Sequence, residues 1–110
     1  MISFPRKFWM GTTVTTEHED WINIESIKQV SAGVKFVSFE PLLGDFPVDV
    51  SLKGLDWMII GKLTGSRRVK LDPDWVWHIL DEAETLDIPV FMKNNLKPEF
   101  PGELIQEFPK

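Results

Sequence analysis

The stretch Val34-Lys35-Phe36-Val37-Ser38-Phe39-Glu40-Pro41-Leu42-Leu43-Gly44 places a carboxylate directly after an apolar run that is typical of a buried strand. Pro41 ends this strand, because proline has no N–H to donate to a strand ladder. In α/β proteins, polar working groups lie at the carboxyl ends of parallel strands. The stretch therefore predicts a strand over residues 34–39 and a candidate functional carboxylate at Glu40.

Three further apolar runs predict strands on either side of this one. They cover residues 8–14, 55–60 and 89–92. The run 55–60 is almost continuously apolar, which suits a strand that is covered on both faces of a parallel sheet.

Helix signals lie between these strands. Thr16 and Glu19 have the spacing of a capping box, and Gly33 stands where a C-cap glycine would end the first helix. Asp72 followed by Pro73 is a strong start for the second helix. The apolar stripe of that helix repeats at helical spacing through Val76, Ile79, Leu80, Ala83 and Leu86.

The resulting order is β-α-β-loop-β-α-β, which predicts an α/β fold with a four-stranded parallel sheet. Four such units form half of an eight-stranded barrel, so we expect a partial TIM-barrel-like half-barrel. Residues 1–110 form a single predicted domain with an irregular, proline-containing tail over 96–110. Short helical turns are expected around 50–53 and 102–107.

The composition of the chain argues against several classes of function. The net charge of −5 argues against a general nucleic-acid coat, and the absence of cysteine removes thiolate metal sites and a cysteine nucleophile. The two histidines are isolated in sequence, so we predict no metal site. No apolar run is long enough to span a bilayer and no signal-peptide core is present, so we expect a cytoplasmic protein without a membrane partner.

A candidate ligand site follows from the strand ends. Thr13, Glu40, Lys62 and Lys93 lie at or just after the ends of the four predicted strands, and in a parallel sheet these ends share one edge. A carboxylate, two ammonium groups and a hydroxyl can orient an anionic or zwitterionic ligand. The alternative is a structural ion pair between Glu40 and a lysine at the end of the sheet.

A basic segment follows the third strand. Arg67, Arg68 and Lys70 can contact phosphate or nucleic acid, but a solvated loop is the alternative favoured by the acidic composition. Nucleic acid is therefore an unlikely partner.

Five tryptophans carry much of the aromatic content. Trp9, Trp21 and Trp57 are predicted in the core. Trp75 and Trp77 are two residues apart on one helix and point to different faces. One of them is therefore either an interface anchor or a ring packed under the tail.

Several segments in order resemble one family. They are residues 8–14 (FWMGTTV), 36–44 (FVSFEPLLG), 55–61 (LDWMIIG), 72–76 (DPDWV), 89–94 (PVFMKN) and 104–109 (LIQEFP). Together they resemble the C-terminal half of phage-associated radical-SAM-like proteins, a family of unknown function. The resemblance implies a barrel or partial barrel whose N-terminal half binds a [4Fe–4S] cluster on three cysteines and S-adenosylmethionine.

Two features depart from the family pattern. The cysteine-bearing half is absent, so the chain is a natural half-protein, a product of gene splitting or an excised fragment. The resemblance also implies a Gly-Gly-Glu-Ser-Gly loop where this chain has Gly61-Lys62-Leu63-Thr64-Gly65. This chain therefore holds no cofactor by itself, and S-adenosylmethionine and [4Fe–4S] are possible only with a partner half.

Two functional hypotheses remain open at this point. In the first, the chain is a cofactor-incomplete binding or structural subunit, without catalytic residues, that forms a homo-oligomer or pairs with a cysteine-bearing partner chain. In the second, it is a small-ligand enzyme that binds S-adenosylmethionine or a nucleotide through Glu40, Lys62 and Lys93.

Overall fold

Four strands form one parallel sheet in the computed structural model, which describes residues 8–15, 21–40, 42–45, 50–62 and 71–110. The strands are β1 (Trp9–Thr13), β2 (Val34–Phe39), β3 (Trp57–Ile60) and β4 (Val90–Met92), in the order β1-β2-β3-β4. All three pairings are parallel. The predicted α/β fold with a four-stranded parallel sheet is confirmed.

The register sorts the strand side chains onto two faces, because successive side chains alternate across a strand. One face, which we call the helix face, carries Met10, Thr12, Lys35, Val37, Phe39, Met58, Ile60, Val90 and Met92. The other, the aromatic face, carries Trp9, Gly11, Thr13, Val34, Phe36, Ser38, Trp57, Ile59 and Phe91.

The first helix is shorter than predicted. Helix α1 covers Ile22–Lys28 and has no side-chain cap at Trp21. The predicted capping box falls on residues 16–20, outside the described part of the chain. The predicted C-cap at Gly33 is wrong, because α1 ends at Gln29 and the Gly33 N–H donates to the carbonyl of Phe8.

The second helix begins where its sequence signals place it. Helix α2 covers Pro73–Leu86, and Asp72 accepts a hydrogen bond from the Asp74 N–H at 2.9 Å. It ends at Asp87, which has a left-handed φ of 55° and whose N–H bonds the final carbonyls of the helix.

Both helices pack on the helix face. Ile24 and Ile27 of α1, and Val76 and Ile79 of α2, belong to the same buried cluster as the side chains of that face. Consecutive strands are also neighbours in the sheet, so the chain winds in one direction with its helices on one side. The aromatic face carries no helix among the described residues.

The tail covers the outer edge of β4. The Met92 N–H donates to the Ile105 carbonyl at 2.7 Å, and the Glu107 N–H donates to the Val90 carbonyl at 2.8 Å. Phe91 and Gln106 form an antiparallel bridge. The predicted helical turn over 102–107 is therefore wrong, because this segment pairs with a strand edge instead.

The structure differs from the sequence prediction at two further short segments. Residues 52–55 form a turn closed by the Leu55 N–H on the Leu52 carbonyl, with Gly54 at a φ of 100°, rather than a helical turn over 50–53. A 3₁₀ turn over Asn94–Leu96, which the sequence did not indicate, follows β4.

The tryptophans divide between core and surface. Trp57 is buried at 8% exposure, within an aromatic cluster that includes Phe108 stacked at 6.0 Å. Trp9 is 50% exposed, so its predicted place in the core is wrong: β1 is an edge strand and leaves one side of the ring uncovered. Trp77 is 45% exposed and its ring centre lies 4.9 Å from that of Phe100.

Candidate functional site

The carboxyl edge of the sheet aligns three residues in one layer. The Gly61 N–H donates to the Phe39 carbonyl at 3.0 Å, and the Lys93 N–H donates to the Ile60 carbonyl at 2.9 Å. The register Phe39–Ile60–Met92 therefore continues by one residue. Glu40, Gly61 and Lys93 consequently follow one another across the edge, on the side of the aromatic face.

Glu40 and Lys93 form an ion pair within this layer. The Lys93 Nζ lies 2.6 Å from Glu40 Oε2 and 2.8 Å from Glu40 Oε1. Their strands, β2 and β4, are not neighbours, because β3 lies between them. The two side chains therefore meet above the end of β3, where Gly61 stands.

Gly61 leaves room for the contact between Glu40 and Lys93. A Cβ atom at this position would lie 2.5 Å from Glu40 Oε2, well inside van der Waals contact. Gly61 is buried, and its φ does not require glycine. The Glu40 carboxylate therefore occupies the space that the glycine leaves open, and a Cβ there would force the end of the Glu40 side chain to shift.

Lys62 is directed away from this layer and has a different partner. Its Nζ lies 2.9 Å from Oε1 of Glu99, and Oε2 of the same carboxylate accepts the Leu71 N–H at 2.7 Å. Alternation explains the separation, since Lys62 is one residue past Gly61 and points to the opposite side of the sheet. Glu99 thus connects the two residues that flank segment 63–70.

Asn95 holds the main chain of Lys62. Its Oδ1 accepts the Lys62 N–H at 3.2 Å, and its Nδ2 donates to the Lys62 carbonyl at 3.3 Å. A single amide side chain thus satisfies both main-chain groups of the residue at the point where β3 has ended. This fixes the direction in which the chain leaves the sheet.

Thr13 lies below the layer of the ion pair. It is opposite Ser38 in the register, two residues before Glu40. Its carbonyl accepts a hydrogen bond from Asn23 Nδ2 at 3.2 Å. The predicted cluster of four strand-end residues is therefore divided: Glu40 and Lys93 come together, while Lys62 and Thr13 do not join them.

The accessibility of the two ion pairs differs. The side chains of Lys93 and Glu40 are 43% and 31% exposed, whereas those of Lys62 and Glu99 are 18% and 29% exposed. A solvent-accessible pair can exchange its internal contact for an incoming group. An ammonium group can then bind to Glu40, and a carboxylate or phosphate can bind to Lys93.

Other sequence candidates are placed only in part. Arg67, Arg68, Lys70 and His18 lie outside the described residues, so the nucleic-acid prediction is not tested by the structure. His78 Nδ1 lies 2.7 Å from Asp45 Oδ1. Across the described ranges there is no group of three or more potential metal ligands. No helix in those ranges is long and apolar enough to cross a membrane.

Three residues of this edge were missed by the sequence analysis. Glu99 lies in the tail and Asn95 in the 3₁₀ turn before it, both far along the chain from Lys62, and no local pattern connects them to it. Gly61 was noted only within segments that carry the family resemblance. Its position directly after a strand, in register with a carboxylate, was the signal available.

The fold and site define a singly wound α/β domain with an ion pair at the carboxyl edge of its sheet. The chain belongs to an uncharacterised domain family, described as protein of unknown function (DUF5131), whose model matches residues 1–98. No curated protein and no solved structure is significantly similar to it.

Proposed function

We propose that this protein is a non-catalytic binding subunit whose Glu40–Lys93 pair receives a zwitterionic or anionic small ligand. The observation that carries the proposal is the accessible pair held over Gly61, with distances of 2.6 and 2.8 Å. Above Gly61 the Glu40 carboxylate is held beside an ammonium group and remains accessible to solvent, as a charge pair that receives a ligand must be.

The surroundings of the pair favour a ligand with an apolar part. The next layer of the aromatic face contains the exposed Thr13 and the half-buried Ser38, Ile59 and Phe91. A ligand that bears an amino-acid group can bind the pair through its charges and lay its remaining part over this layer. S-adenosylmethionine has this combination, with an amino-acid group and an aromatic base.

We read the domain as the C-terminal half-barrel of a radical-SAM-like protein, supported by the single winding direction and the helices on one face. A [4Fe–4S] cluster does not fit this chain alone, because the sequence has no cysteine. The proposed source of the cluster is a cysteine-bearing partner chain. A second copy of this chain is the other candidate partner, and it would bring no cluster.

The ligand proposal is tested by thermal unfolding with a panel of ligands. A ligand at 100 times its dissociation constant stabilises the folded state by about 2.7 kcal/mol. We expect S-adenosylmethionine or a nucleotide to raise the melting temperature, and Glu40→Gln and Lys93→Met to abolish that rise. Glu25→Gln is the matched control, since Glu25 also pairs with a lysine, at 3.2 Å, on α1.

Two results would contradict the ligand proposal. One is the absence of any shift across amino acids, nucleotides and S-adenosylmethionine. The other is a shift that Glu40→Gln and Glu25→Gln reduce equally, since this would indicate a general charge effect. If a shift is found and the bound ligand is turned over without any partner, the protein is an enzyme by itself rather than a binding subunit.

A further inference from the structure

The two outer edges of the sheet differ in the state of their main-chain groups. On β4, the outward residues are Val90 and Met92, and all four of their N–H and C=O groups have partners in the tail. Val90 donates its N–H to Glu107 Oε1, and its carbonyl accepts the Glu107 N–H. Met92 donates its N–H to the Ile105 carbonyl, and its own carbonyl accepts a hydrogen bond from Gln106 Nε2. This edge is closed.

On β1, the outward residues are identified by the hydrogen bonds of their neighbours. The Phe8 carbonyl and the Val14 N–H both bind β2, so the even-numbered residues of this strand face β2. The odd-numbered residues Trp9, Gly11 and Thr13 consequently face outward. Within the described ranges, the Thr13 carbonyl binds Asn23, and the main-chain groups of Trp9 and Gly11 have no partner.

This open edge lacks the usual protection against pairing. Natural edge strands carry charges, proline or a bulge that prevents another strand from adding. The strand Trp9–Thr13 has no charged residue and no proline. Trp9 within the strand is 50% exposed, Phe8 directly before it is 42% exposed, and Ile22 on α1 is 68% exposed. An uncharged edge with apolar borders is suited to association.

We infer that β1 pairs with β1 of a second copy of this chain, antiparallel about a two-fold axis through Gly11. With one edge closed and one open among the described residues, identical chains can join through main-chain bonds only by the same edge on both. Centring the pair on Gly11 places Trp9 opposite the partner copy's Thr13. The three outward residues of each chain then exchange six N–H···O=C bonds, in which the Thr13 carbonyl accepts a second hydrogen bond beside that from Asn23.

The chemistry of the strand favours a copy of itself as the occupant. Identical strands that carry charges repel each other when they align, and β1 carries none. Gly11 at the centre carries no side chain, and the Phe36 ring of the same chain fills the space on the aromatic face where its Cβ would lie. No side chain of β1 itself therefore stands at the axis.

This inference deepens the partner part of the proposed function and is separable from the ligand part. In an antiparallel pair, the carboxyl edges of the two sheets point in opposite directions. Each Glu40–Lys93 pair then stays complete within one chain, and ligand binding does not depend on association. A partner strand that adds parallel to β1 would instead bring its own carboxyl end beside this layer.

Light scattering on the full chain tests the inference. We expect a particle of twice the chain mass of 12.7 kDa, and we expect Trp9→Lys to convert it to a monomer. Trp77→Lys is the matched control, because Trp77 is exposed to a similar extent, 45%, on a distant helix. Thr13→Lys provides a second edge variant, and circular dichroism checks that each variant is folded.

Hydrogen exchange gives an independent readout. In the dimer, the amides at positions 9, 11 and 13 exchange slowly. In the folded Trp9→Lys variant, the amides at the same three positions exchange quickly. A monomeric wild-type chain overturns the inference. If its β1 amides are protected, another segment of the same chain covers the edge, and if they exchange quickly, the edge awaits a different partner. A dimer that Trp9→Lys and the control Trp77→Lys both leave intact, or both disrupt, also overturns it.

The ligand arm separates the two proposals. A folded, monomeric Trp9→Lys that keeps the ligand-induced rise in melting temperature shows that the ligand site functions without association. A dimer that binds no ligand contradicts the ligand proposal alone and leaves the inference about β1 standing.

Discussion

Glu40 and Lys93 form an ion pair across a strand that lies between their own, above the glycine that ends it. The distance of 2.6 Å joins the ends of β2 and β4, and Gly61 of β3 is beneath. Three separate segments of the chain are therefore required to place one charge pair. Such an arrangement cannot form before the sheet itself has formed.

The first prediction concerns Gly61. In the wild-type protein, a double-mutant cycle between Glu40→Gln and Lys93→Met should give a coupling of about 0.2–1 kcal/mol, the usual range for exposed pairs. In a Gly61→Ala background, the coupling should fall to near zero, because the added methyl group displaces the Glu40 carboxylate. Urea unfolding measures both cycles. An unchanged coupling would mean that the carboxylate does not need the space above Gly61.

The second prediction concerns the carboxylate that connects Lys62 and Leu71. Glu99→Gln should destabilise the protein by about 1–3 kcal/mol, since it removes the ion pair and weakens the bond to a backbone N–H. The Leu71 amide should exchange faster as well. Glu103→Gln is the control, because Glu103 is exposed. Equal effects of the two substitutions would show that Glu99 has no special part in holding these two positions.

The third prediction compares the two faces of one strand. Ile60 lies on the helix face at 0% exposure, and its neighbour Ile59 lies half-buried on the aromatic face. Ile60→Ala should cost about 2–5 kcal/mol, the range for fully buried aliphatic side chains, and Ile59→Ala distinctly less. Chemical denaturation of the two variants measures the difference. If Ile59→Ala were as costly, the aromatic face would be as fully covered in solution as the helix face.

The fourth prediction concerns the tail on β4. Glu107→Pro removes the N–H that binds the Val90 carbonyl and the side chain that accepts the Val90 N–H. Leaving these groups without partners should cost about 1–3 kcal/mol. The Val90 amide should also exchange faster. Glu103→Pro, at another exposed glutamate of the tail, is the control, and a Val90 amide that stays protected in Glu107→Pro would contradict a closed β4 edge.

Strand and helix positions could be predicted from the sequence where local signals, such as apolar runs and helix caps, are strong. The Asp72–Pro73 start predicted α2, and the apolar runs predicted all four strands to within two residues. The capping box and Gly33 predicted α1 less well, because a glycine near a helix end serves as a cap only if the helix reaches it. Residues 102–107 were assigned to a helical turn, since no local pattern indicates that a tail will pair with a distant strand edge.

About half of the candidate site could be predicted from the sequence. Strand ends that share an edge predicted that Glu40, Lys62 and Lys93 would be near one another. Which lysine meets the carboxylate depends on alternation along each strand, and this needs the strand ends to within one residue. Lys93 falls on the same side as Glu40, and Lys62 falls on the other, where Glu99 of the tail receives it.

The sequence by itself determined the alternation of strands and helices, the parallel sheet and the carboxylate at the end of β2, because these follow from apolar periodicity and the backbone chemistry of proline. Only the tertiary structure decided that Glu40 pairs with Lys93, that Gly61 makes room for it, and that the tail closes β4 while β1 stays open among the described residues. These relationships join residues that are 13 or more positions apart along the chain. They depend on strand order, register and edge pairing, which local patterns do not encode.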